Sequence, residues 1–483
     1  MAVSASARLP NPYIGPRPFH LGEAIFGRER DVRRLLDVLL VDRFVLLQAP
    51  SGAGKTSLVQ AGLIPLLQVE NFGVLPTRIT RLAQDMPGLT VRDQYLLNVL
   101  LSLEASLPSS RPLEELVNMG LDAYLNDRRE RQDDIEAQVL IFDQLEELVL
   151  DPMDQLEKVA FMSKVGSAIR GADCWALFIT RDEYVGPLYR HLNALRLPLS
   201  TFRLEFLEEA AAREAIQIPA RVNGIEFSDT AVAQLLEDLR RAHIQQPDGT
   251  TGIVLAPYIE PVQLQVVCRR LWQHLDPNTV TITERDIAEM SDTTDALASY
   301  YGDAVAAAAS VTGVSERAIR DWFEFVLITE GGFRSQTLHG PRGDESGQAV
   351  RVLQDSYLVR AEHRAGAIWF ELGHDNMIYP IRESNHEWRY THLQRWQVQA
   401  NEWYSNRQNE LLLQGTELRR ALEQARDAEL TPIDREYLEE GRRAENRDGP
   451  FKRTRIGIGL PSMLALVELV VIVLLLILLV RKG

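Results

Sequence analysis

The plainest chemistry in this chain sits in one short run, Ala49-Pro50-Ser51-Gly52-Ala53-Gly54-Lys55-Thr56-Ser57. It follows the apolar run FVLLQ and leads into the helix-forming stretch SLVQAGLIPLL. Small residues let successive backbone N–H groups curl around phosphate oxygens, and the following helix adds its positive dipole end. In such a P-loop, Lys55 reaches the β- and γ-phosphates and the Thr56 hydroxyl binds Mg²⁺. Pro50, Ser51, Gly52, Ala53, Gly54 and Ser57 complete the expected nucleotide cradle. Ala49 stands where glycine is usual, and alanine is small enough that only the curvature of the loop is at stake.

A site of this kind also needs a carboxylate for the metal. Val139-Leu140-Ile141-Phe142-Asp143 supplies one at the end of a neighbouring strand, with Asp143 expected to hold Mg²⁺ through water. Glu146 and Glu147 follow closely, and either can orient an attacking water. The competing reading makes them ordinary acids at the start of a helix, favoured there by the dipole. A third apolar run, Ala176 to Thr180, ends at Arg181, which at that strand tip can reach a γ-phosphate. The plain alternative for Arg181 is a surface ion pair with Asp182 or Glu183.

These residues need a scaffold, and the hydrophobic pattern describes one. Apolar β-type runs occur at Phe44–Gln48, Val74–Thr80, Val139–Phe142, Trp175–Thr180 and Thr201–Phe206, with helical stretches between them. Such alternation predicts an α/β core over 31–206 with a mostly parallel sheet covered on both faces. Residues 1–30 read as an extended Pro- and Gly-rich lead-in that contains the FGRE motif. Residues 207–290 read as helical, broken by a loop around Gln245–Pro261. Residues 291–390 mix helices with short β-type runs, compatible with a winged helix, and 391–447 are charged and helical.

Composition excludes several classes. The 483 residues suggest about three domains, and 45% hydrophobic content is ordinary for a globular chain. The 52 Lys+Arg against 68 Asp+Glu give a net charge of −16. That balance supplies no basic footprint for phosphate-dominated nucleic-acid binding. Two cysteines, Cys174 and Cys268, make neither a disulfide framework nor a thiolate metal site and read as core residues. His363, His374, His386 and His392 lack metal-ligand spacing, so no zinc is expected.

The C-terminal stretch has its own character. From Ser462 to Val480 the only charge is Glu468, and at about 1.5 Å per residue the stretch spans roughly 28 Å, near the hydrocarbon thickness of a bilayer. A basic linker at 448–455 precedes it, and 456–483 is expected to be a single transmembrane helix. With only Arg481-Lys482-Gly483 beyond the span, the expectation is a C-terminal membrane anchor with the bulk of the protein in the cytoplasm. A carboxylate such as Glu468 within a span is costly unless it snorkels, is protonated or is used.

Taken in order, NPYIGPRPF, FGRE, APSGAGKTSLVQAGLIPLL, VLIFDQLEEL and FITRDEY resemble the novel STAND NTPases, bacterial P-loop switches related to the NACHT and NB-ARC ATPases. The resemblance continues through YIEPVQLQVVCRRLW, similar to the family's lid, FELGHDNMIYPIRESNHEW, similar to the end of its winged helix, and the late segment ARDAELTPIDREYLEEG. It implies that 207–290 is a helical lid in which Pro261 lies against adenine. It implies that His374 contacts the phosphate of ADP at rest, and that Arg28 lies near the nucleotide. It further implies ATP/ADP with Mg²⁺ as cofactors, slow hydrolysis used for switching, and homo-oligomerisation on activation. A role in bacterial defence or stress signalling follows, with the membrane tail as effector. Two other readings stay open: a membrane-tethered scaffold that docks a partner protein, and a membrane-bound winged-helix regulator, which the acidic balance argues against.

Overall fold

The computed structural model describes residues 10–78, 93–104, 111–130, 137–150, 155–172, 174–245, 251–289, 293–329, 334–364, 367–374, 377–426, 428 and 430–447. Two compact units divide it, one ending at Asn385 and the other beginning at His386.

The first unit is built on five strands: β1 (Phe44–Ala49), β2 (Phe72–Arg78), β3 (Ala137–Asp143), β4 (Trp175–Arg181) and β5 (Ser200–Arg203). All pair in parallel, in the order β2-β3-β4-β1-β5. Side chains alternate across a strand, so a run buried on both sides feeds two cores. Val45, Leu47 and Ala49 point into one core with Leu35, Leu58, Ile141 and Ile179. Phe44 and Leu46 point into the other with Leu140, Phe142, Phe178 and Phe161. Continuous apolar strands therefore become the central layer, with helices on both faces.

The order corrects one expectation. Asp143 does not end a strand next to the P-loop strand, because β4 lies between β1 and β3. The strand beside the P-loop carries Arg181, and Ala49 and Arg181 are register partners.

Beyond β5 the chain is mainly helical to residue 289, around a core that includes Ile216, Leu235, Leu264, Leu271 and Trp272. Where a loop was expected around Gln245–Pro261, strands Arg241–Gln245 and Thr251–Leu255 form an antiparallel hairpin. The first strand, RAHIQ, alternates polar and apolar residues, and the second, TGIVL, has an apolar run of only three residues. Helices Thr293–Thr312, Glu316–Phe325 and Gln348–Asp355 then pack with a three-stranded antiparallel sheet, in which Ala367–Leu372 lies between Gln336–Thr337 and Val359–Arg364.

The second unit contains helices Arg395–Asn406, Gly415–Gln424 and Pro432–Arg447 around Trp396, Trp403, Leu418 and Tyr437. Among the described residues no helix is long and apolar enough to cross a membrane. The expected span at 456–483 and its linker at 448–455 lie outside the described residues.

Candidate functional site

The loop after β1 takes its shape from two glycines. Gly52 and Gly54 have φ of +82° and +91°, a region that side-chain-bearing residues rarely adopt. Ala49 is the fully buried last residue of β1, and its φ is not positive, so the missing glycine costs the loop nothing. Lys55 opens the helix that follows Gly54, and this helix passes through a π-helical turn at Leu58–Leu63 before ending at Val69. The Lys55 ammonium donates to the carbonyls of Ala49 at 3.0 Å and Pro50 at 3.2 Å, so it lies along its own loop.

The loop forms the floor of a cavity of about 480 Å³. Ser51, Gly52, Gly54, Lys55, Thr56 and Ser57 line it, together with Asp143, Glu146, Glu147, Arg181, Pro261 and His374. Residues drawn from five separate stretches of sequence thus share one enclosure. Pro50 lines an adjoining hollow, and Ala53 lies beneath the loop with Arg28. Arg28 is buried, and its Nη2 donates to the carbonyls of Ala53 at 3.0 Å and Glu205 at 2.8 Å while Nη1 pairs with Asp31. Its guanidinium braces the underside of the loop. It also borders a small, mostly apolar pocket formed with Phe26, Pro219, Leu264 and Pro261.

Pro261 is the first residue of helix Pro261–His274, where its missing N–H costs no hydrogen bond. It lines both the main cavity and the apolar pocket. The lead-in is strapped across this helix. Ile14 N–H donates to Gln265 Oε1 at 3.0 Å, Arg269 Nη1 donates to the Ile14 carbonyl at 2.8 Å, and Phe19 N–H donates to Ser57 Oγ at 3.1 Å. The Ser57 hydroxyl is therefore an anchor for the strap as well as part of the lining.

The two glutamates differ. Glu146 is buried, with Oε2 accepting from Thr180 Oγ1 at 3.1 Å and Oε1 paired with Arg181 Nε at 3.3 Å. Glu147 is half-buried on the cavity wall. Arg181 pairs with Glu146 and, at 3.3 Å, with Glu371 of strand Ala367–Leu372, while Asp182 pairs with Arg203.

The three-stranded sheet supplies the roof. His374 lies just past its central strand and is buried, with Nδ1 only 3.3 Å from where a side chain on Gly52 would begin. Burial, reinforced by Arg360, Arg334 and Arg181, holds its imidazole neutral well below the usual histidine range. Burial also lowers the Lys55 ammonium to about 8, opposed by Glu146 and aided by Arg181 and Arg360. Lys55, Arg181 and Arg360 thus line the cavity with Asp143, Glu146 and Glu147.

Two roof residues escape sequence reasoning. Arg360 lines the cavity and donates to Ser51 Oγ at 2.9 Å, across 309 residues of chain. Glu371 is its register partner on the next strand. The runs YLVRAE and AIWFEL signal strands and nothing about where those strands dock.

A family model described as novel STAND NTPase 1 matches residues 12–424. No curated protein matches the chain. Among solved structures, a Walker-type ATPase of Pyrococcus abyssi is similar at 14% identity and a TM-score of 0.40, covering 76% of this chain and 98% of that one. The ORC2 protein of Aeropyrum pernix, in its ADPNP–ADP complexes, is similar at 12% identity and a TM-score of 0.40, covering 78% and 98%.

Proposed function

The chain belongs to the novel STAND NTPase 1 family, and we propose that it is an ATP/ADP-dependent switch whose resting form is closed over a bound diphosphate. The observation that carries this reading is the shared enclosure: P-loop, Asp143, Pro261 and His374 line one cavity although they lie up to hundreds of residues apart. A site for hydrolysis alone needs the floor. A lid and a roof that meet over the same floor allow the nucleotide to hold separate segments together.

In this reading Gly52, Gly54 and the helix N-terminus receive the β-phosphate, and Lys55 bridges β and γ. Thr56 and Asp143 would hold Mg²⁺, which would supply positive charge to the phosphate oxygens. Pro261 and the apolar pocket beneath it take the adenine, and Arg28 supports the loop from behind. His374, as a neutral imidazole, donates one N–H to the diphosphate. Glu146 has both oxygens committed to Thr180 and Arg181, so it positions Arg181, and Glu147 on the cavity wall orients the attacking water. The three helices and three antiparallel strands of 293–374 support the winged-helix reading of that region. The acidic balance makes it a switch element rather than a nucleic-acid reader.

The membrane reading rests on the sequence of 456–483 alone. A single C-terminal span would keep the switch on the cytoplasmic face, where exchange to ATP and homo-oligomerisation would cluster the spans, as suits a defence or stress-signalling effector. Two measurements on the full chain in detergent test the proposal. Native mass spectrometry should find co-purified ADP. Particle mass should then rise with AMP-PNP and Mg²⁺ and stay low with ADP. A chain that binds neither nucleotide overturns the switch, and a chain that fractionates as soluble overturns the anchor.

A further inference from the structure

Helix Pro261–His274 turns one face toward the site. Pro261, Leu264 and Gln265 are spaced so that they share that face, and all three line the apolar pocket beside Arg28. Among the described residues, five line both this pocket and the main cavity: Phe19, Gly54, Ser57, Pro261 and Gln265. Two of the five carry a polar side chain. Ser57 belongs to the P-loop helix, and its Oγ already accepts from Phe19 N–H at 3.1 Å. Gln265 is the amide at the junction, and its orientation is fixed. Ile14 N–H donates to Gln265 Oε1 at 3.0 Å, so turning the amide end for end would set donor against donor. Ile14 is itself held. Its carbonyl accepts from Arg269 Nη1 at 2.8 Å, one helical turn beyond Gln265, and the neighbouring Tyr13 hydroxyl donates to the Ile216 carbonyl at 2.6 Å in the core. With Oε1 holding the strap, the side chain has Nε2 left to offer, and its two N–H donors have no partner among the described residues.

From this arrangement we propose that Gln265 is a specificity-determining residue that selects adenine over guanine by donating from Nε2 to N1 of the base. The proposal rests on the nucleotide reading above and names the group that reads the base. Adenine N1 is an acceptor. Guanine N1 carries a hydrogen, and the 2-amino group beside it is a second donor. A locked donor therefore pairs with the Watson–Crick edge of adenine and meets N–H with N–H on guanine. A site whose polar group is left unpaired by the wrong ligand rejects it far more strongly than an apolar wall does. The other polar side chains nearby are engaged elsewhere or lie away from the junction. Arg28 spends Nη1 on Asp31 and Nη2 on the carbonyls of Ala53 and Glu205. Arg17 is bound through both Nη atoms to Glu23. Gln354 and Tyr357 line the main cavity but not the apolar pocket.

The test uses the full chain in detergent with Mg²⁺, and ADP or GDP carrying a fluorophore on the ribose so that the base is untouched. Wild type should bind ADP at least about ten-fold more tightly than GDP. Gln265→Glu keeps an oxygen for Ile14 and replaces the remaining donors with an acceptor, so the ratio of ADP to GDP affinity should fall at least about ten-fold. Unlabelled 1-deaza-ADP, which lacks the N1 acceptor, probes the same contact from the ligand's side. Against labelled ADP it should compete about ten-fold less well than ADP in wild type, and equally well within about two-fold in Gln265→Ala. A Gln265→Glu protein that binds both labelled nucleotides in the wild-type ratio overturns the proposal. A wild type that binds 1-deaza-ADP as tightly as ADP overturns it too. Both results leave the switch reading standing, whereas a wild type that binds neither labelled nucleotide removes that reading and this proposal with it.

Discussion

The floor and the roof of the cavity are built on opposite plans. The floor is a contiguous segment, Pro50 to Ser57, whose binding groups are backbone N–H groups, one lysine and one threonine fixed by strand, turn and helix. The roof reaches the same space with single side chains, Arg360 on an antiparallel strand and His374 just past the next one, with Glu371 pairing to Arg181 beside them. A floor of that kind is preorganised and binds whatever the rest of the chain does. A roof of long ionic side chains holds only while the sheet is docked, so its contacts can be exchanged for contacts to a ligand. One half is made to bind and the other to let go.

The largest expected effect breaks the join between the halves. Arg181→Ala leaves Glu146 and Glu371 without their shared cation, and stability should fall by about 3 kcal/mol, the low end for a broken buried pair because the cavity admits water. Denaturant unfolding followed by tryptophan fluorescence measures it, and an unchanged midpoint would show that the pair does not hold the closed form.

Next comes the floor alone. Lys55→Ala should weaken ATP-analogue and ADP binding by about 100-fold, since it removes a charge-assisted bond to phosphate, with little change in the melt. Its Ala49 and Pro50 contacts are hydrogen bonds to backbone carbonyls and are not core packing. Equal affinity in the variant would end the P-loop assignment.

The roof alone should do less. His374→Ala should lower ADP affinity by about ten-fold and speed release of a fluorescent ADP, while AMP-PNP affinity changes little. Equal losses for both nucleotides would place His374 with the floor and dissolve the contrast.

The smallest effect is the pH response. With Lys55 lowered to about 8 in the free protein, a bound polyphosphate must raise it again, so binding takes up a proton above that value. Affinity should be flat below about pH 8 and decline by up to ten-fold per unit above it, and Lys55→Ala should abolish the decline. Isothermal titration in two buffers of different ionisation enthalpy reads the proton uptake directly.

What sequence alone determines here is whatever is local. Strand, glycine loop and helix are consecutive, so the P-loop, its lysine and its threonine are legible without a fold. The runs of β1, β3 and β4 are legible for the same reason, since a central strand buried on both faces needs a nearly unbroken apolar run. Sequence also separates Asp143 from a background of acids, because it ends such a run. Sheet order is not local: placing β4 between β1 and β3 depends on long-range pairing, and it is this that sets Arg181, not Asp143, beside the P-loop strand. Glu146 and Glu147 are equivalent on paper because they are consecutive in the chain. Only the packing of the helix against Thr180 commits the first of them. Arg28 becomes a brace because its guanidinium meets carbonyls from residues 53 and 205, which no spacing announces. Arg360 and Glu371 are ordinary charged residues in amphipathic strands. They acquire a role from the register that sets them opposite each other and from the docking of that sheet over the loop, and docking is decided by the summed burial of surfaces far apart in the chain, not by any motif within them.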